Sequence, residues 1–164
     1  MGKKIRPCLW FDGDAEEAVT FYQTVFRDLQ IIEEQRYPDP SPFPGGEDLA
    51  GKLLTMVVRI FDEEIVFLNA GSEFRLSEAF SLIIETKDQQ ETDYFWYALS
   101  ADGGIEQPCG WLKDKFGLSW QVTPTRLLEL TTDPDPERAM RATQAMLQMQ
   151  RIDIVALETA ANAA

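Results

Sequence analysis

Asp14-Ala15-Glu16-Glu17-Ala18-Val19-Thr20-Phe21-Tyr22 recurs, loosely, as Asp88-Gln89-Gln90-Glu91-Thr92-Asp93-Tyr94-Phe95-Trp96, 74 residues further on. In both copies an Asp opens the segment, a Glu follows three residues later, and an aromatic pair closes it. An apolar, strand-like run precedes each copy: Cys8 to Phe11 in the first, Phe80 to Ile84 in the second. A strand-plus-helix unit repeated across most of a 164-residue chain predicts duplicated halves facing each other across a shared cleft. Such a cleft is a natural small-molecule site.

Outward from the repeat, Ile5 to Phe11 reads as a strand, and Asp12-Gly13-Asp14 turns the chain into a helix. Asp14 is placed to cap that helix, with Glu17 completing a capping-box pair. Ala15, Ala18, Val19, Tyr22, Val25 and Phe26 mark its apolar face. Leu29 to Tyr37 forms the next strand. Proline- and glycine-rich Pro38 to Gly51 is a long surface loop. Leu53 to Phe61 and Ile65 to Asn69 make a hairpin. The second half repeats this order: strand Phe80 to Thr86, helix Asp88 to Ala101 with Thr92, Phe95, Trp96 and Leu99 inward, a glycine stop at 103–104, then strands Ile105 to Lys113 and Leu118 to Val122. The reading is β-α-β-β-β twice, with a first module over 1–78 and a second over 79–124. A helical extension over 125–164 follows, one helix starting at Asp135-Pro136 and running to Gln150, another within Ile152 to Ala163. Its Met-bearing stripe reads as core or partner surface.

The chain carries 15 basic and 28 acidic residues, a net charge of −13, and no histidine. That balance argues against nucleic acid and against anionic membrane surfaces, both of which need a basic footprint. No secretory h-region, myristoylation motif or membrane-length apolar run is present, so a cytoplasmic protein is expected. Two cysteines, Cys8 and Cys109, are too few for a disulfide framework and read as reduced thiols. Without histidine, metal ligation and near-neutral acid–base catalysis lose their usual side chain. Neither thiol has an imidazole to activate it, and Lys113 is the nearest cation in sequence to Cys109.

Several stretches carry a family resemblance. They are Pro7-Cys8-Leu9-Trp10-Phe11-Asp12-Gly13 with Ala15-Glu16-Glu17-Ala18 and Phe21-Tyr22, then Leu68-Asn69-Ala70-Gly71. In the second half they are Asp88 with Trp96 and Leu99, the long run Cys109-Gly110-Trp111-Leu112-Lys113-Asp114-Lys115-Phe116-Gly117-Leu118-Ser119-Trp120-Gln121, and Gln148 to Ile154. With these the chain resembles the vicinal-oxygen-chelate superfamily of glyoxalases and bleomycin-resistance proteins. Within it the PhnB-like branch, labelled 3-demethylubiquinone-9 3-methyltransferase, is the most similar. The resemblance implies an α+β fold, paired βαβββ modules forming a cupped mixed sheet (the glyoxalase/bleomycin-resistance fold), and usually a homodimer. It also implies, in catalytic members, a divalent metal held by the first and last strands of each module.

Carried over residue by residue, those metal positions fall on Pro7, Ser81, Asn69 and Gln121. A proline, a hydroxyl and two neutral amides do not make a divalent-metal cage, so no metal and no other cofactor is expected. A nucleotide-like cofactor has no glycine-rich turn to receive it either. The expected function is therefore binding of a small apolar or aromatic molecule in a cup lined by Trp10, Phe67, Asn69, Trp111, Trp120 and Gln121. Indoles would stack on the ligand while Asn69 or Gln121 meets a polar group. The alternatives are a metal-dependent lyase, isomerase or dioxygenase, the methyltransferase of the family label, or an interaction protein whose cup is filled by its own side chains. No catalytic residue is assigned.

Overall fold

The structure, a computed structural model, describes residues 5–44 and 46–163, with the side chains of residues 46 and 47 outside that description. Residues 1–4 of the N-terminal segment, and the Gly45 part of the expected loop, lie outside it. The chain divides into two compact units, Met1–Leu76 and Ser77–Ala164.

The first unit runs β1 (Cys8–Phe11), α1 (Ala15–Val25), β2 (Gln30–Arg36), α2 (Gly46–Leu49), β3 (Leu53–Ile60), β4 (Glu63–Asn69). Its four-stranded sheet has the order β1-β4-β3-β2, with β1 parallel to β4 and the remaining pairs antiparallel. The second runs β5 (Ser81–Thr86), α3 (Gln89–Ser100), β6 (Ile105–Glu106), β7 (Trp111–Lys113), β8 (Ser119–Pro124) and orders them β5-β8-β7-β6 with the same parallel and antiparallel pattern. The sequence repeat is thus a repeat of topology, and the α+β fold of duplicated βαβββ modules is what the chain adopts. The expected strand Ile105 to Lys113 is two short strands. Between them Pro108–Gly110 forms a 3₁₀ turn in which Cys109 and Gly110 hold φ of 63° and 83°. Two consecutive left-handed residues cannot continue a strand.

Each helix covers one face of its sheet. Successive side chains of a strand point to opposite faces. In β1 this sends Leu9 and Phe11 to the α1 side, where they meet Ala18, Val19, Tyr22 and Val25 in a buried core. In the second unit Ile84, Leu112, Trp120 and Val122 meet Phe95, Trp96 and Leu99 of α3 in the same way.

Three helices follow: α4 (Thr125–Thr131), α5 (Pro136–Met146) and α6 (Ile154–Ala161). The α5 helix begins at the expected Asp135 cap, whose carboxylate accepts from Glu137 N–H, but ends at Met146 rather than Gln150. Leu127, Leu130, Ala142, Ile152, Leu157 and Ala161 close a small core between the three. Residues 149–154 are tied back to the second unit's module. Cys109 and Gly110 N–H donate to the carbonyls of Met149 (2.8 Å) and Gln150 (2.7 Å). The Gln89 amide donates to Ile152 O and accepts from Ile154 N–H. A Cβ on Gly110 would stand 2.9 Å from Val122 O and 3.2 Å from Ile152 Cγ1, so glycine is required there by space as well as by φ.

Candidate functional site

Strand alternation sorts the six expected site residues. Phe67 lies beneath α1, 1% exposed, with ring centroids 4.8 Å from Phe11 and 5.8 Å from Tyr22. Asn69, two residues on, shares that side. Its Oδ1 accepts from Ala15 N–H at the start of α1 (3.4 Å) and its Nδ2 donates to Leu53 O. Trp120 is 2% exposed on the α3 side, and its indole N–H donates to the Asp114 carboxylate at 2.8 Å. Placing Phe67 and Trp120 in a ligand cup is therefore corrected. Both are core residues, because the strand positions that carry them face the helices.

Trp10 takes the other face of its sheet. Its indole N–H donates to Gly71 O (2.6 Å) and its ring meets Phe74 edge-on at 4.9 Å, so the segment after β4 partly covers it. A cleft of about 480 Å³ opens in this unit, lined among others by Asp12, Glu16, Tyr37, Lys52, Leu53 and Asn69. Three of its polar residues, Tyr37, Glu16 and Asn69, are engaged in holding the chain: Tyr37 O–H donates to Asn69 O, and Glu16 accepts from Arg36.

Trp111 and Gln121 are the two expected residues that come together. They are cross-strand partners of β7 and β8, both half-buried, on the face turned away from α3. Gln121 is also the β8 partner of Ile83, which is 58% exposed, and its Nε2 donates to Ser81 Oγ at 2.9 Å. An indole, an exposed isoleucine and a hydrogen-bonded amide–hydroxyl pair thus share one strip of sheet. Such a strip offers an apolar platform with polar groups that fix orientation.

Two further residues of this face escaped the sequence reading. Lys113 follows Trp111 by two on β7 and Ser119 precedes Gln121 by two on β8, and they are cross-strand partners. Period-two alternation from Trp111 and Gln121 was the signal that could have found them. Lys113 Nζ is hydrogen-bonded to the Glu78 carboxylate, and that bond holds the Glu78 carboxyl below its ordinary value.

The positions the superfamily uses for metal fare no better in space than in sequence. Asn69 faces the helix side and is engaged with backbone, whereas Ser81 and Gln121 are bonded to each other. Among the described residues no three His, Cys, Asp or Glu side chains come together in a way that could hold a metal ion. This donor set does not fit a divalent cation. Nor is any helix among the described residues long and apolar enough to cross a membrane.

Two βαβββ modules, each with one sheet face covered by its own helix, define a glyoxalase/bleomycin-resistance-like protein. Residues 3–123 match the profile of the 3-demethylubiquinone-9 3-methyltransferase family, and the chain belongs to that family. Among solved structures it is similar to a putative 3-demethylubiquinone-9 3-methyltransferase, PhnB protein, from Bacillus cereus. That match has 28% identity and a TM-score of 0.63, covering 74% of this chain and 99% of the other. It is also similar in fold to protein PA1353 from Pseudomonas aeruginosa, with 20% identity and a TM-score of 0.59, covering 75% and 98%. A search of curated proteins finds no match.

Proposed function

We propose that the protein binds a small, largely apolar or aromatic molecule on the β5–β8–β7 face of its second unit. The observation that carries this reading is the meeting of Trp111, Ile83 and the Gln121–Ser81 pair on one strip of sheet that α3 leaves uncovered. Stacking one ring on an indole and covering an exposed isoleucine yields a few kcal/mol, about 1 from the aromatic contact and the rest from area. The amide–hydroxyl pair adds orientation at modest net gain. Micromolar-to-millimolar recognition follows without any chemistry. The methyltransferase of the family description and a metal-dependent reaction both call for groups that the residues of this face do not supply.

The test is tryptophan emission and thermal shift across a panel of aromatic and aliphatic compounds, repeated on Trp111→Ala and Gln121→Ala. Ligands that stabilise the protein and lose at least several-fold in affinity in both variants support the reading. Ligands that bind equally well to both variants overturn it. We read the chain further as a homodimer in the cytoplasm. In support of the dimer, β2 is a seven-residue edge strand exposed along its whole length, with Ile31 and Ile32 in water, and such edges are ordinarily covered. A sedimentation mass near 18.6 kDa at micromolar concentration would contradict it.

A further inference from the structure

Ser119 is fully buried, yet its hydroxyl has no hydrogen-bond partner among the described residues. Buried hydroxyls are nearly always paired, and an orphan calls for a reason. The register puts Ser119 directly between Ser81 on β5 and Lys113 on β7, on the face away from α3. Ser81 Oγ accepts from Gln121, which leaves its own proton to donate. Three donors, an ammonium and two hydroxyls, therefore stand side by side at one end of the strip that carries Trp111 and Ile83. Lys113 is the only basic residue that β5, β7 and β8 place on this face. Glu85, its one acid, lies four residues from Ser81 along β5, roughly 13 Å away at strand rise.

An acceptor already sits at this end. The Glu78 carboxylate, from the segment just before β5, is bonded to Lys113 although it is itself 51% exposed. The pair is partly exposed and contributes little to stability, and the Glu78 backbone and the Gln107 side chain also hydrogen-bond that carboxylate, so a ligand carboxylate takes its place on the ammonium at a modest cost.

We infer that Glu78 stands in for the anionic end of the ligand, and that the molecule bound on this face is a carboxylic acid, or a like oxyanion, attached to a flat apolar body. This rests on the binding role proposed above and narrows it. The ligand carboxylate displaces Glu78 from Lys113 and takes the Ser119 and Ser81 hydroxyls as further donors, while its body lies along Trp111 and Ile83. Glu78 thereby acts as a tethered competitor that keeps the site closed to weak or neutral compounds.

The experiment compares benzoate and 1-naphthoate with the uncharged benzamide and 1-naphthamide, by Trp emission and by chemical-shift changes. The full-length chain and its Glu78→Gln, Lys113→Gln, Ser119→Ala and Trp111→Ala variants are used. Expected are acids binding more tightly than their amides, a three- to ten-fold gain for the acids alone in Glu78→Gln, and loss of the acid preference in Lys113→Gln. A several-fold weakening of the acids in Ser119→Ala, with amides unchanged, is expected too. Amides and acids that bind alike, depend on Trp111 and ignore Glu78→Gln overturn this inference and leave the binding face standing. Failure of every probe to bind at millimolar concentration overturns both.

Discussion

Adjacent residues of one strand cannot line one cup, and the site turns on that rule. Trp120 and Gln121 are neighbours on β8, so one must face α3 and the other away. Alternation assigns the indole to the core, and the amide keeps the open face. Its place on a strand expected to line the cup made Trp120 attractive as a stacking surface, and only the parity of its position argued otherwise. Its partner shows how firmly it is fixed. Asp114, 3% exposed, accepts from Phe116 N–H, Leu118 N–H and Trp120 Nε1–H. Asp114→Ala strands these donors and is expected to lower stability by roughly 3 kcal/mol, whereas Gln121→Ala, on the open face, stays within about 1 kcal/mol. Urea unfolding of the two variants separates them. Cys8 gives a second check at this scale. Burial pushes its thiol up from 9.0. A raised value means less thiolate at any pH below it, so alkylation of Cys8 in a Cys109→Ser background should be slower at pH 8 than for a free thiol. Its rate should still be rising with pH where that of a free thiol has levelled off.

At the scale of elements, the repeat was legible because both helices must bury the same face. Ala18, Tyr22 and Val25 on α1 and Thr92, Trp96 and Leu99 on α3 show the same spacing of buried positions, four residues and then three. The caps were not equally legible. Asp88 accepts from Glu91 N–H at 2.8 Å, and Glu91 reaches back past the cap to accept from Lys87 N–H at 2.8 Å, a variant of the capping box at the start of α3. The matching Asp14 makes no side-chain cap bond. One of its carboxylate oxygens is buried without a partner, and Asn69, 54 residues beyond Ala15, holds that first α1 N–H instead. Local pattern cannot foresee a cap supplied by β4. Asp88→Ala is therefore expected to lower stability by about 1 kcal/mol, and Asp14→Ala by less than about 0.5 kcal/mol. Equal losses in chemical denaturation would show that Asp14 caps α1 in solution after all. The α4 helix follows β8 with no loop between and was legible only as part of a helical extension. Pro124 takes its N-cap position without a side-chain cap bond, and local sequence offered no start signal beyond composition.

For the whole molecule, the last forty residues are part of the second unit rather than an appendage, and little in the sequence says so. Gln148 to Ile154 lies beyond the residues 3–123 that match the family, and its role was not legible because its long-range partners lie 40 to 65 residues away. Met149 and Gln150 carbonyls hold the Cys109–Gly110 turn, which leads straight into Trp111. Gln89 and Asp93 of α3 hold Ile152, Ile154 and Arg151. The tail thus braces both the helix under the β5–β8–β7 sheet and the turn that sets Trp111 on its open face. Ending the chain at Met146 removes those bonds and exposes the pockets of Ile152 and Leu157, both fully buried. Two aliphatic side chains at roughly 2 kcal/mol each, with the hydrogen bonds, bring the loss to on the order of 5 kcal/mol. A loss of that size is comparable to the whole stability of a typical domain. The shortened chain is expected to yield to protease between residues 77 and 146 while peptides from the first unit survive, and its Trp emission to shift to the red. Arg151→Ala removes a partly exposed ion pair with Asp93 and a cation–π contact over Tyr97, and should lose about 1 kcal/mol. If the shortened chain resisted protease and bound aromatic probes as the full chain does, the tail would be dispensable and Trp111 would be set by its own sheet alone.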